Sequence, residues 1–270
     1  MEILGYALAL LIGLSLGLIG GGGSILALPV LVYILGVPEM EATSYSFFVV
    51  GLSAWVGTFQ KISEKLIHYK SALIFGVPSI ISVYFSRWYI LPNIPSKVPM
   101  LGLEIEKEQL LMLFFSLIMI FAGLSTIKKR KNHHHHDEVA PNQQHHLHPK
   151  RWALLAVFGL GEGILTGMVG AGGGFLIIPI LLLVGKLNTK KAMATSLFII
   201  AVKSSLGFLG DITQFHPNWW IILPFAGISI VGIFIGDYYA LKIKGKILKT
   251  IFSFFLILLG ISIFVIELLS

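Results

Sequence analysis

GLIGGGGSILALPVL at residues 17–31 and GMVGAGGGFLIIPIL at residues 167–181 align without a gap at an offset of 150 positions. The same offset lays Gly13 on Gly163, Ala42 on Ala192, Ser46 on Ser196, Phe48 on Phe198 and Gly57 on Gly207. The chain is a two-fold internal repeat. In each copy a glycine run, Gly20, Gly21, Gly22 and Gly23 or Gly170, Gly172, Gly173 and Gly174, cuts an apolar stretch. Each glycine costs about 1 kcal/mol relative to alanine in a helix interior, so both runs predict breaks.

Composition fixes the surroundings. Of the 270 residues 56% are hydrophobic and 12% charged, which leaves too little polar surface for a water-soluble globule. The apolar segments lack the alternation of barrel strands, and main-chain groups in lipid must be paired within a segment, so the class is an all-α polytopic membrane protein. With no cysteine, disulfides, thiolate metal sites and a cysteine nucleophile are excluded. The opening MEILGYALAL has an acid where a leader's basic region would lie, which predicts no cleaved signal peptide. The net charge of +7 sits in short loops and does not indicate nucleic acid.

Apolar segments run over 3–36, 43–60, 71–91, 108–127, 152–186, 193–210, 219–241 and 246–268. As single helices the first and fifth would extend for ~50 Å, past a ~30 Å hydrocarbon core, so each reads as a helical hairpin of two short arms broken at its glycines. Loop charges then set the sidedness. Loop 37–41 carries Glu39 and Glu41 where its repeat mate carries Lys186, Lys190 and Lys191; loop 61–70 carries Lys61, Lys65 and Lys70 where its mate carries Asp211 and no base. Equivalent loops fall on opposite sides, which predicts two inverted repeats, each a glycine-broken hairpin plus three transmembrane helices. The expected division is an N-terminal repeat at 1–127, a His-rich basic cytoplasmic linker at 128–151 and a C-terminal repeat at 152–270, in a plasma or inner membrane with both termini outside.

Glycines at the bilayer midplane free main-chain N–H groups at the start of each second arm, and a short helix behind them adds a partial positive charge. Such groups suit an anion. Inversion brings Gly22–Ser24 and Gly172–Gly174 toward one centre, with Ser24, Thr43, Ser44, Ser46, Thr195 and Ser196 as hydroxyl donors. Tight helix packing is the alternative use of the same small residues. Lys203 lies within a span and would add a full positive charge; Glu162 would balance it or carry a proton. A structural ion pair is the competing role for both. Arg87 and Asp237, which match across the repeat, read as interfacial anchors or cross-repeat partners, and Pro29 and Pro179 as kinks in the second arms.

The linker holds seven of the nine histidines and reads as a disordered cytoplasmic segment. Its run His133, His134, His135 and His136 supplies the candidate ligands if a metal is bound; no metal or cofactor is otherwise expected.

The doubled motif, with EATSYSFFVV downstream of one copy and KKAMATSLFII downstream of the other, resembles the TauE/SafE family of membrane transporters, the sulfite exporter group. The likeness covers nearly the whole chain outside 128–151. It implies export of sulfite or organosulfonates and places the family's glycine motifs at Gly20–Ser24 and Gly170–Gly174. The His-rich linker and Lys203, which lacks a mate, depart from the pattern. The combined expectation is a transporter of small sulfur-containing anions, not an enzyme, working by alternating access around the glycine-lined centre. The second expectation is a divalent metal permease served by the linker, although the spans hold few carboxylates or imidazoles. An intramembrane protease ranks last, since no buried Ser/His or Asp/Asp pair stands at a plausible depth. The expected partners are a small anion and the lipid bilayer; a homo-oligomer is compatible with this reading.

Overall fold

The computed structural model describes residues 2–95, 97–100, 103–128, 149–170, 172–211, 217–240 and 245–269. The first half opens with α1 (Glu2–Ile19), breaks at Gly20 and Gly21, and resumes as α2 (Gly22–Ile34). It continues through α3 (Glu39–Ser63), α4 (Tyr69–Asn93), a ribbon of β1 (Lys97–Met100) and β2 (Leu103–Glu106), and α5 (Lys107–Lys128). The second half repeats the helices: α6 (Pro149–Val169), α7 (Gly174–Leu183), α8 (Thr189–Asp211), α9 (Trp219–Ala240) and α10 (Gly245–Leu269). Among the described residues the protein is all-α apart from that ribbon, in which Lys97 stands opposite Glu106. Among the described residues six helices, α3, α4, α5, α6, α8 and α9, are long and apolar enough to cross a membrane.

Both hairpins are broken where the glycines lie, but their arms are unequal. The first arms have 18 and 21 residues, and α6 opens at Pro149, so Lys150 and Arg151 fall in its first turn rather than in the linker. The second arms are short. α7 has 10 residues, and α2 starts as a tight 3₁₀ turn and relaxes after Pro29 into a wider π turn over Val30–Ile34. Proline removes a donor and crowds the preceding turn, which accounts for the change of pitch there.

The packing obeys the repeat. α1 lies along α9, with Gly13 against Ser229, Gly17 against Ile233 and Gly236, and Gly232 against Leu10 and Leu14. α6 lies along α4 in the same way, with Gly159 against Phe75, Gly163 against Ser79 and Gly167 against Val83. Each first arm therefore runs parallel to the fourth helix of the other half, through faces of small residues that let backbones touch. The third helices cross at the centre: Phe47 meets Gly207, Gly51 meets Ser204 and Gly57 meets Leu197, so α3 and α8 run antiparallel. α5 and α10 are antiparallel too, with Gly123 against Ser253 and Gly260 against Ser116. The two loops that lead into α4 and α9 are tied alike. The His68 amide donates to Thr195 Oγ1 at 3.0 Å, and the Asn218 amide donates to the Tyr45 hydroxyl at 2.9 Å, with Tyr45 and Thr195 at matching positions.

Candidate functional site

Each first arm ends on a final helical bond, Gly20 N–H to Leu16 O at 2.8 Å and Gly170 N–H to Thr166 O at 2.7 Å. The next step needs glycine. Gly20 and Gly170 take φ of +73° and +75°, Gly21 takes +130°, and Gly172 and Gly173 take +66° and +70°, all in the region that side chains disfavour. Each break docks on the third helix of the opposite half at matching residues, Gly20 against Met193 and Gly170 against Thr43.

The breaks also meet each other. Ser24 Oγ donates to Gly21 O at 2.9 Å and accepts from the Gly174 amide at 3.2 Å, so one buried hydroxyl links the two copies. A methyl group added to Gly174 would lie against the Gly21 carbonyl, and one added to Gly172 would lie 3.2 Å from Ser24 Cβ. Gly20, Gly21, Gly22, Gly23, Ser24, Gly172, Gly173 and Gly174 thus form one buried junction with α3 and α8 around it.

The charges lie on one side of this junction. Lys203 Nζ is bonded to Glu162 Oε1 and donates to Thr166 Oγ1 at 3.2 Å, and Ser79 Oγ donates to Glu162 Oε2 at 2.6 Å. Lys203 is 1% exposed and Glu162 2%, so the pair is sealed inside the protein directly behind Gly173. At the matching place in the other half Ser53 Oγ donates to Ser229 Oγ at 3.0 Å, with Ile12 and Leu16 where Glu162 and Thr166 stand. The symmetric frame carries an asymmetric charge.

The hydroxyls expected at the site divide into engaged and free. Ser196 Oγ bonds to Gly20 O and to Met193 O at 2.8 Å, and Thr195 serves the His68 loop. Thr43 donates to Met40 O at 2.8 Å and accepts from Arg87, while Ser44 bonds to Asp211. Ser46, the mate of Ser196, is fully buried and its hydroxyl has no partner among the described residues. Ser204 is in the same condition and faces Gly172, its oxygen 3.6 Å from where a Cβ would stand. Sequence reading missed Ser204, because its repeat mate is Ala54 and the serine pair Ser204 and Ser205 within a helical run gives no signal. A small cavity of about 20 Å³, room for roughly one water, lies between Thr43, Glu39, Glu108 and Met168 and is lined by none of the junction residues.

His133, His134, His135 and His136 lie outside the described residues. Among the described residues no group of three or more His, Asp or Glu side chains is placed to hold a metal ion.

A helical, polytopic chain with paired broken hairpins meeting in its core defines a membrane transporter. The sequence profile of the sulfite exporter TauE/SafE family matches residues 5–263, and the chain belongs to that family. A probable membrane transporter protein of Xylella fastidiosa (strain Temecula1) is 28% identical over 260 residues, covering 95% of this chain and 91% of its own. The probable membrane transporter protein YunE of Bacillus subtilis is 26% identical over 272 residues, covering 94% and 93%. One from Methanocaldococcus jannaschii is 26% identical over 254 residues, covering 89% and 86%. No solved structure matches the chain.

Proposed function

We propose that this transporter carries small sulfur oxyanions or organosulfonates, with sulfite the first substrate to test, through the junction of the two glycine breaks. The observation that carries the reading is the meeting of Gly21, Ser24, Gly172 and Gly174 next to the buried Lys203. Amides at short helix starts, the free hydroxyls of Ser46 and Ser204 and a nearby ammonium form a donor set suited to an oxyanion. The family's name points the same way.

The two halves are inverted in this reading. Equivalent helices that pack antiparallel, α3 on α8 and α5 on α10, are what a two-fold axis lying in the bilayer produces; an axis along the membrane normal would leave them parallel. With the lysine-rich loops inside, both termini lie outside and residues 128–151 are cytoplasmic. The halves rock about the shared centre and expose it to each side in turn.

With Glu162 ionised, the Lys203–Glu162 pair is neutral and offers an arriving anion no net charge. A proton delivered to Glu162 releases the Lys203 ammonium for the anion, so Glu162 is the coupling residue and anion and proton move together. A monovalent anion moving without the proton would gain about 2.3 kcal/mol per 100 mV on leaving a negative cell interior, whereas the proton-coupled step is electroneutral and follows the anion and pH gradients alone. Uptake of labelled sulfite into proteoliposomes under an imposed pH gradient tests both parts. Saturable uptake that grows with the gradient in the wild type, and loses that growth in Glu162→Gln, is expected. Absence of sulfite, sulfate and sulfoacetate transport in a folded protein would refute the substrate class. Uptake indifferent to the gradient would leave a uniporter and remove Glu162 from coupling.

A further inference from the structure

The 150-residue offset maps Lys61 onto Asp211 and Arg87 onto Asp237. In the structure these four residues form two ion pairs. Lys61 Nζ stands 2.6 Å from Asp237 Oδ1, and Arg87 Nη1 is paired with Asp211 Oδ2. Each pair is the repeat image of the other with the signs exchanged. The cation comes from the first half in both, Lys61 from the end of α3 and Arg87 from α4; the carboxylate comes from the second half in both, Asp237 from α9 and Asp211 from the end of α8. Because α3 and α8 are antiparallel, their C-terminal ends, and with them the two pairs, lie at opposite ends of the central helix pair.

The pairs are built to different strengths. Asp211 closes α8, where a negative charge opposes the helix dipole. It is nonetheless held, because Ser44 bonds to it and Arg87 is anchored five ways: to Asp211, to Ser44 Oγ at 3.5 Å, to Thr43 Oγ1 at 2.7 Å, to Gly167 O at 3.3 Å and over the Phe47 ring at 4.7 Å. Those last contacts tie Arg87 to the residues beside the Gly170 break. The other pair is lighter. Lys61 and Asp237 are 17% and 22% exposed against 10% for both members of the first pair. Lys61 also has a second carboxylate within reach, Glu64, which caps the C-terminus of the same helix, at 3.7 Å.

We propose that the two pairs are charge-swapped latches between the halves, one at each mouth of the transport path, and that Lys61–Asp237 is the one that opens first. Lys61 passes from Asp237 to Glu64 as the mouth opens, so the cation is never stranded. Both latches are closed in this structure, which is accordingly an occluded arrangement. Under the sidedness proposed above, the weaker latch faces the cytoplasm, where an exporter loads.

The chain has no cysteine, so single reporters can be placed without a background. Thr58→Cys, fully buried one turn before Lys61, and Val83→Cys, 1% exposed one turn before Arg87, report on the two mouths. The purified full chain is labelled with a small maleimide and the rates are read by mass. Asp237→Asn should raise labelling at position 58 several-fold and leave position 83 protected; Asp211→Asn should do the reverse. In the wild-type background position 58 should label faster than position 83. Equal effects of either substitution on both positions, or none on either, would overturn the proposal. If Asp211→Asn fails to fold, the exchange Lys61→Asp with Asp237→Lys decides: renewed protection at position 58 supports a latch, and continued exposure overturns it. No substrate enters this experiment, so its outcome is separate from that of the sulfite assay.

Discussion

At the scale of the residue, the buried Lys203–Glu162 pair is the group on which function and stability pull apart. Removing one partner leaves a charge sealed in the interior, a loss of roughly 3–5 kcal/mol, whereas replacing both by neutral groups of similar shape is often close to neutral. Lys203→Met alone should therefore lower the melting temperature in detergent sharply, and Lys203→Met with Glu162→Gln should recover it. If the pair serves transport, the recovered double variant stays inactive. A stable and fully active double variant would return both residues to a structural role. A second titrating group lies outside the spans. His68 caps α4, its Nδ1 accepting from the Ser71 amide at 3.2 Å, and burial, aided by Lys191 and Lys70, holds its pKa below the ordinary value. The neutral ring is the native form, so its contribution is complete above about pH 6.5 and is lost as pH falls through the lowered value. Thermal melts between about pH 7.5 and about pH 5 should show this loss in the wild type and less of it in His68→Asn, which keeps an acceptor at the cap. An equal slope in the two would assign the pH dependence elsewhere.

At the scale of the element, the hairpins were legible because their defining signal is local. Four glycines in an apolar run exclude a continuous helix, and the second copy repeats the statement 150 positions later. The arm lengths were not legible, since nothing local marks how far a helix extends once tertiary packing supports it; α6 gains its first turn at Pro149 beyond the apolar pattern. The ion pairs were half legible. Arg87 and Asp237 stand out as matched charges of opposite sign within spans, but their partners Lys61 and Asp211 look like ordinary loop charges until α4 is seen against α8 and α9 against α3. Ser204 was invisible for the same reason. Close approach of the breaks makes a sharp prediction. Gly174 has an ordinary helical φ, so Gly174→Ala strains no backbone angle and presses instead on the Gly21 carbonyl and on the tip of the Ile200 side chain; overpacking of this kind costs about 1–3 kcal/mol and should abolish transport. Gly161→Ala, on α6 with open space around it, should be neutral or stabilising by up to about 1 kcal/mol and leave transport intact. Full transport in Gly174→Ala would show that the breaks need not touch.

At the scale of the whole molecule, the account rests on a symmetric frame with an asymmetric charge. Paired contacts such as Gly20 on Met193 and Gly170 on Thr43 repeat across the two halves, while Lys203 and Glu162 occur once. In the proposed mechanism the symmetric frame would supply two mouths alike in kind, and the asymmetric charge and latches would make the states open to either side unequal in energy. The repeat told of the frame; the asymmetry became readable only once Lys203, Glu162 and Ser79 were seen to converge from three helices. The central claim is that an oxyanion sits where the glycine breaks meet. Its most direct measurement is a crystal of the protein grown with selenite, the heavier congener of sulfite, and imaged at the selenium absorption edge. The account predicts one anomalous peak bounded by Gly21–Ser24 and Gly172–Gly174, within reach of Lys203 and the hydroxyls of Ser46 and Ser204. A protein that transports selenite yet shows its only ordered selenium away from the two breaks would contradict it.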